Sequence, residues 1–98
     1  MEIRKTVNGD ELELAVIGRL DTTTAASLED ELKQSLDGVK TLVFDFTSLE
    51  YLSSAGLRVL LSAQKTMNRQ GSMIIRHVNN TIAEIFDVTG FTDILTIE

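Results

Sequence analysis

The apolar positions along this chain change period several times, from the alternation of strands to the spacing of helices. Residues 2–7 alternate weakly, and a second alternating run covers residues 12–17. Asn8-Gly9 lies between them, and Asn-Gly between two extended runs favours a tight hairpin because both turn positions tolerate a positive φ. The pattern therefore predicts two antiparallel strands, the second ending near Gly18.

The first run with helical spacing covers residues 22–37. Asp21 or Thr22 can accept hydrogen bonds from the first free N–H groups, and Gly38 suits the left-handed residue that ends many helices. The apolar residues of this run lie three or four apart and share one face: Ala25, Leu28, Leu32 and Leu36. These features predict an amphipathic helix.

Two further helices are predicted over residues 54–70 and 81–89. The longer one is expected to turn one apolar face inward, made of Leu57, Leu60, Leu61 and Met67 and widened by Val59 and Ala63. The shorter one opens with Thr81 and Glu84 at the spacing of a capping box, and Gly90 suits its left-handed end.

The remaining apolar runs predict strands at residues 41–46, 72–78 and 93–97. The run at 41–46 is nearly continuous, which is typical of a central strand covered on both faces. The resulting order is β-β-α-β-α-β-α-β. It predicts an α/β fold with a mixed sheet of about five short strands, helices packed against it and right-handed crossovers.

Length and charge narrow the class of partner. The chain has 98 residues, which predicts a single domain over residues 1–98. Lys plus Arg is 9 and Asp plus Glu is 15, so the net charge is −6. The basic residues are scattered from Arg4 to Arg76 instead of forming a stripe, which argues against nucleic acid. Net acidity keeps the molecule well solvated and would steer it toward a basic partner surface.

Composition also limits the chemistry. With no Cys and 1 His, the chain has no thiol nucleophile and no multi-histidine metal site, so we expect no metal and no cofactor. It also lacks a G-x-x-x-x-G-K phosphate loop. The N-terminal residues MEIRKTV contain no apolar signal region, and no stretch approaches the roughly 20 apolar residues that span a bilayer. We therefore expect a cytoplasmic protein that does not enter a membrane.

The segment richest in chemical information is a pair of serines where the second predicted helix begins. Ser53 suits the N-cap, because Leu52 and Leu57 then have the spacing of a hydrophobic staple. Ser54 becomes the first helical residue, beside unpaired N–H groups at the positive end of the helix. Gly56 lowers helix propensity by up to about 1 kcal/mol relative to Ala, which indicates either close approach of another group or a packing requirement.

This segment resembles a known family signature. Residues 46–49 (FTSL) and 51–57 (YLSSAGL) resemble the signature of STAS domains, more narrowly of the stand-alone bacterial anti-sigma factor antagonists. Two further blocks match at the expected places, residues 18–21 (GRLD) before the first helix and residues 86–91 (FDVTGF) near the end. The resemblance covers nearly the whole chain, and the STAS fold has the predicted order of elements.

The resemblance implies a phosphorylated serine. In the family the signature reads Asp-Ser-Ser/Thr-Gly-Leu, and the serine after the aspartate is phosphorylated. That position falls on Ser54, whereas the aspartate falls on Ser53 and the second hydroxyl residue on Ala55. The acceptor is kept and the acid before it is lost. Because Ser caps helices about as well as Asp, the helix start is expected to survive.

A partner-binding surface is implied by the same resemblance. It contains six residues: Asp21, Thr22, Ser53, Ala55, Gly56 and Arg58. The residue types alone leave structural roles open, with Asp21 or Thr22 as a helix cap and Arg58 as a solvated helix residue.

The function implied by the resemblance is a switch without catalysis of its own. The unphosphorylated protein, expected to be a monomer, binds an anti-sigma factor that is also a serine kinase, and this frees the sigma factor. The kinase then uses its own ATP and Mg²⁺ on Ser54, the complex breaks, and a metal-dependent serine phosphatase resets the protein. Two alternatives remain open: an interaction scaffold that is not phosphorylated, and a small enzyme or ligand carrier.

Overall fold

A computed structural model describes all 98 residues. Five strands are present: β1 Glu2–Asn8, β2 Glu11–Leu20, β3 Thr41–Asp45, β4 Leu49–Leu52 and β5 Ser72–Arg76. Three α-helices accompany them: α1 Ala25–Ser35, α2 Ser54–Gln70 and α3 Asn80–Thr89. A short 3-10 turn follows at Phe91–Asp93. The predicted α/β class with a mixed five-stranded sheet is confirmed.

The sheet is built around β2. The opening hairpin pairs β1 with β2 antiparallel, and β3 and β5 extend the sheet in parallel, giving the order β1-β2-β3-β5. The strand β4 lies outside this path and pairs with β2 in parallel. All the helices are inserted between parallel strands or follow the last one, as the alternating pattern predicts.

The length of β2 positions the functional region. Its first half, residues 11–15, pairs with β3, and its last residues, 18–20, pair with β4. The register shifts between Gly18 and Arg19, and Gly18 has a φ of 96°, a conformation that glycine adopts without strain. This irregularity lets one strand hold two parallel neighbours, so the carboxyl ends of β2 and β4 lie side by side.

The core fills the space between the sheet and the helices. The central strand is buried as predicted, since Leu42, Val43 and Phe44 are each 0 % exposed. Nearly all the residues predicted for the inner helix faces are buried: Ala25, Leu28, Leu32, Leu36, Leu57, Val59, Leu60, Ala63 and Met67. Leu61 is the exception and lies half-buried at the margin. No helix combines the length and the apolar content needed to cross a membrane.

Two predicted strands are wrong or incomplete at their ends. Residues 93–97 do not form a strand, because the chain curls through the 3-10 turn, where Ile94 and Leu95 donate backbone hydrogen bonds to the Phe91 carbonyl. Only a single parallel bridge, Ile75 to Ile97, remains. The place of a fifth strand is taken by β4, which the sequence pattern did not reveal. The predicted strand 72–78 stops early, since His77 turns into a positive φ of 62°.

The helix starts also differ from prediction at two places. The helix α1 begins at Ala25 instead of residue 22, because the preceding residues form a hydrogen-bonded turn. The cap of α3 is Asn79, whose side chain accepts from the Ile82 N–H at 2.9 Å, so the Thr81–Glu84 capping box is wrong. The left-handed end at Gly90 is confirmed by its φ of 79°.

Candidate functional site

Three element ends meet at the candidate site. The backbone N–H of Ser53 donates to the carbonyl of Leu20 at 2.9 Å, which joins the end of β2 to the residue between β4 and α2. The helix then begins at Ser54, and the turn that starts at Asp21 continues from β2. Residues far apart in sequence are therefore brought to one edge of the sheet, at the carboxyl ends of two parallel strands.

Ser53 is the N-cap of α2, as predicted. Its backbone is extended, with φ −93° and ψ 174°, and its Oγ accepts from the Gly56 N–H at 3.4 Å, a long hydrogen bond. The flanking leucines are both interior, Leu52 at 2 % and Leu57 at 6 % exposure, as a hydrophobic staple requires. The helix start survives the replacement of the family's aspartate by serine.

Ser54 is exposed and is the first residue of α2. Its hydroxyl forms no hydrogen bond within the protein; the one side-chain cap bond of this helix comes from Ser53. The first turn of α2 contains no acidic residue. A free hydroxyl at the positive end of a helix, without a neighbouring carboxylate in that turn, is well placed to receive a phosphate.

Gly56 lies on the opposite, inward side of the same turn. A Cβ at this position would stand 2.7 Å from Leu52 Cδ1 and 2.8 Å from Leu20 Cγ, distances that side chains do not tolerate. The close approach indicated by the sequence is therefore made by the protein's own leucines. Gly56 is buried, and the absence of a side chain allows α2 to pack closely against β2 and β4.

Asp21 organises a turn and does not cap α1, whose N-cap is Thr24. One carboxylate oxygen accepts from the Thr23 hydroxyl at 2.7 Å, from the Thr23 N–H at 3.0 Å and from the Thr24 N–H at 3.2 Å. These donors, the Thr23 hydroxyl foremost, lower the pKa of Asp21 to about 2. Thr22, at the tip of this turn, is exposed. The carboxylate is therefore charged at neutral pH.

Sequence reasoning missed the pair formed by Arg19 and Tyr51. The two residues are opposite each other in the β2–β4 register, and the Arg19 guanidinium carbon lies 4.3 Å from the centre of the Tyr51 ring. Arg19 Nε also lies 3.6 Å from Asp21 Oδ2. The signal that would have found this pair is the β4 strand itself, which the pattern did not show.

Ala55 and Arg58 lie on the side of α2 that faces α1. With Ala25, Ala26, Glu29 and Val59 they line a shallow hollow of about 190 Å³. Arg58 is exposed and takes part in none of the five ion pairs: Arg4–Glu2, Lys5–Glu31, Arg19–Asp21, Lys33–Glu29 and Arg76–Glu98. A second hollow of about 290 Å³ lies further along the same two helices and is lined by neither Ser53 nor Ser54. No three His, Cys, Asp or Glu side chains are grouped to hold a metal ion.

Comparison with known proteins places this geometry in a family. The family model described as STAS domain matches residues 2–98. BtrV of Bordetella bronchiseptica, named as an anti-sigma factor antagonist, is 34% identical over 82 residues, covering 82% of this chain and 71% of that protein.

Solved structures share the fold. An anti-sigma factor antagonist from Mycobacterium paratuberculosis matches with a TM-score of 0.88 at 20% identity, covering 98% of this chain and 83% of that one. The Bacillus cell fate determinant SpoIIAA, in its phosphorylated form, matches with a TM-score of 0.77 at 16% identity, covering 99% of this chain and 91% of that one. With a family match from residue 2 to residue 98, the chain belongs to the STAS domain family.

Proposed function

We propose that this protein is an anti-sigma factor antagonist that works by partner switching. In its unphosphorylated form it binds an anti-sigma factor with serine kinase activity and so frees the sigma factor; phosphorylation of Ser54 breaks the complex. The observation that carries the proposal is the exposed, unbonded hydroxyl of Ser54 at the first position of α2, where the family signature has its phosphoacceptor. The name of BtrV and the phosphorylated state of SpoIIAA support it.

A phosphate on Ser54 is compatible with the fold. It adds roughly −1.5 to −2 charges at pH 7, and the positive end of α2, free of acidic residues in its first turn, favours an anion. The domain should therefore keep its structure after phosphorylation. The effect on a complex is different, because a dianion packed against a partner must lose its water. If phosphorylation removes about 3–4 kcal/mol of binding free energy, the affinity for the partner falls several-hundred-fold.

The proposed partner surface surrounds Ser54. It contains the turn at Asp21 and Thr22, the cap Ser53, and the α1-facing side of α2 at Ala55 and Arg58. Gly56 belongs to it only through its backbone, since its position is buried.

In this proposal the partner enzymes carry out the catalysis. The kinase supplies ATP and Mg²⁺ for the transfer to Ser54, and a metal-dependent serine phosphatase removes the phosphate. The chain, acting as a single domain over residues 1–98, supplies the acceptor hydroxyl of Ser54 and the surface that both enzymes bind. It needs no cofactor and no nucleophile activated by a neighbouring base.

Phosphate transfer tests the proposal. The protein is mixed with each anti-sigma factor kinase of its own organism in the presence of ATP and Mg²⁺, and the phosphate is located by peptide mass spectrometry. We expect one phosphate, on Ser54, and none on the Ser54→Ala variant. The Ser53→Ala variant is the matched control, since it removes the neighbouring hydroxyl and keeps the acceptor. Absence of phosphate from Ser54 with every kinase would refute the switch.

A second candidate is a STAS scaffold that binds without being phosphorylated. Ser53 and Ala55 favour it, because the acid and the second hydroxyl of the family signature are both missing. A stable complex with an anti-sigma factor that survives ATP and Mg²⁺, with Ser54 unmodified, would identify the scaffold.

A further inference from the structure

Arg19 and Tyr51 form an exposed stack near the carboxyl ends of β2 and β4. Arg19 side-chain exposure is 59% and Tyr51 is 38% exposed, so both reach solvent although both sit on paired strands. The strands fix the two backbones against each other, and the ring face holds the guanidinium at 4.3 Å from its centre. Exposed arginines ordinarily sample many rotamers, whereas this one is stacked.

Asp21 lies close to the guanidinium on a second side. Its Oδ2 lies 3.6 Å from Arg19 Nε, and the carboxylate is itself held by the donors of Thr23 and Thr24. The Thr24 hydroxyl also donates to the carbonyl of Arg19 at 2.8 Å, which ties the turn to the strand below the stack. The guanidinium therefore has an aromatic ring over one face and a carboxylate near its Nε edge.

The outer end of the guanidinium is left without a partner. Neither Nη group of Arg19 forms a hydrogen bond within the protein, and the Tyr51 hydroxyl forms none. A planar fork of free N–H donors, already oriented, fits the two oxygens of a carboxylate. Because the side chain is ordered before binding, less conformational entropy is lost when it is engaged.

We infer that Arg19 and Tyr51 anchor the partner-binding surface by receiving an aspartate or glutamate side chain of the anti-sigma factor kinase. This inference rests on the proposed function and adds to it the chemistry of the partner's contact. Arginine and tyrosine are among the residue types that carry most of the energy at protein interfaces. Tyr51 lies three residues before Ser54 along the chain, and Arg19 precedes Leu20, whose carbonyl accepts from the Ser53 N–H at 2.9 Å.

Because the overall charge is −6, the main alternative is a contact with a basic residue of the partner. A basic partner residue would bind Asp21 instead of Arg19. Asp21 Oδ1 accepts from Thr23 and Thr24, whereas Oδ2 forms no hydrogen bond and lies 3.6 Å from Arg19 Nε. A basic partner residue at Oδ2 would therefore stand next to the positive charge of Arg19, which opposes it. The unoccupied donors belong to Arg19, and charge complementarity at this spot therefore favours an acidic side chain on the partner.

Binding affinity of the kinase, measured by calorimetry without ATP, tests the inference. We expect Arg19→Gln to weaken binding about 30-fold, the scale of an interface hot spot. Arg19→Lys keeps the charge but lacks the planar guanidinium, so its affinity should lie between those of wild type and Arg19→Gln. Tyr51→Ala should weaken binding about tenfold, and Tyr51→Phe should bind like wild type because the ring is kept. Arg69→Gln, at the far end of α2, is the matched control.

The outcomes separate this inference from the proposed function. If wild type binds no anti-sigma factor kinase, the proposed function and the inference both fall. If wild type binds and Arg19→Gln binds within about twofold of it, only the inference is overturned. Weaker binding of Asp21→Asn with unchanged binding of Arg19→Gln would show a basic partner residue and would overturn it too. Thermal unfolding of each variant confirms that it is folded.

Discussion

The first turns of α2 and α3 are both capped by a side chain, but the two caps differ in strength. In both, an extended N-cap residue accepts from the N–H three residues later, Ser53 from Gly56 at 3.4 Å and Asn79 from Ile82 at 2.9 Å. The bond is short at α3 and long at α2. The helix that carries the candidate site therefore has the weaker side-chain cap.

The difference extends beyond the cap bond. Asn79 also donates its amide to the carbonyl of Leu49 at 2.9 Å, which ties α3 to β4, and Ile82 is 0 % exposed. At α2, Gly56 has no side chain, and Leu20 and Leu52 occupy the space that one would need. The start of α3 is fixed by side chains, and that of α2 by close backbone packing. The Ser54 hydroxyl is left without a hydrogen bond, whereas Ser53 serves as the cap.

The largest expected effect is at Asn79. Asn79→Ala removes the cap of α3 and leaves the carbonyl of buried Leu49 without its donor. We expect the free energy of unfolding in urea to fall by about 2–3 kcal/mol, the sum of a lost cap and an unsatisfied buried group. Asn80→Ala, one residue along and exposed, should change it by less than about 0.5 kcal/mol. Equal losses of unfolding free energy for Asn79→Ala and Asn80→Ala would show that the Asn79 side chain does not fix the start of α3.

Gly56→Ala tests whether close packing holds α2. The added Cβ would overlap Leu20 and Leu52, and we expect a net loss of about 1–2 kcal/mol in urea unfolding although Ala improves helix propensity by about 1 kcal/mol. Ser54→Ala in the same turn is the control and should be nearly neutral, since it is exposed. A stabilised Gly56→Ala protein would show that the space is not limiting.

Ser53→Ala should be milder than Asn79→Ala. The lost bond is 3.4 Å long and has no second contact behind it, so we expect about 0.5–1 kcal/mol in the same unfolding measurement. Ser53→Asp restores the family's residue and should unfold within about 0.5 kcal/mol of wild type, because both residues cap well. A loss as large as that of Asn79→Ala would mean that the two caps are equivalent.

The comparison also explains what the sequence could and could not predict. The cap at Ser53 is predictable because it depends on local spacing, with leucines at fixed positions on either side. The same local reasoning predicts Thr81 as the cap of α3, since Thr81 and Glu84 match a capping box. The structure prefers Asn79 because its amide reaches Leu49, 30 residues away in sequence, and no local pattern contains that contact.

The missing strand has a similar cause. The strand β4 has four residues, Leu49–Leu52, too few for a period to be recognised, and it exists because β2 is long enough to hold a second parallel neighbour beyond Gly18. Without β4, the pairing of Arg19 with Tyr51 could not be foreseen. Most predicted helix-face residues are buried, and the cap at Ser53 and the left-handed Gly90 are confirmed. The caps predicted for α1 and α3 are wrong, and contacts across the sheet needed the structure.

The smallest expected effect concerns the turn before α1, the third helix start. The donors of Thr23 and Thr24 favour the charged form of Asp21 and lower its pKa to about 2, against 3.8 for an unperturbed aspartate. A lowered pKa in the folded state contributes stability above the unfolded value, and this is lost as pH falls from about 4 toward 2. The melting temperature of wild type relative to Asp21→Asn should therefore decrease across this window.

Thr23→Val sharpens this last test, because it removes the hydroxyl that donates to Asp21 at 2.7 Å and leaves the carboxylate in place. We expect the pKa of Asp21, followed by carboxyl carbon NMR, to move up toward its usual range in this variant. The pH dependence of the melting temperature should weaken in parallel. If neither the pKa nor the pH dependence changes, the Thr23 hydroxyl does not stabilise the charged carboxylate of Asp21. Asp21 would then not be held in place beside Arg19 by this hydrogen bond.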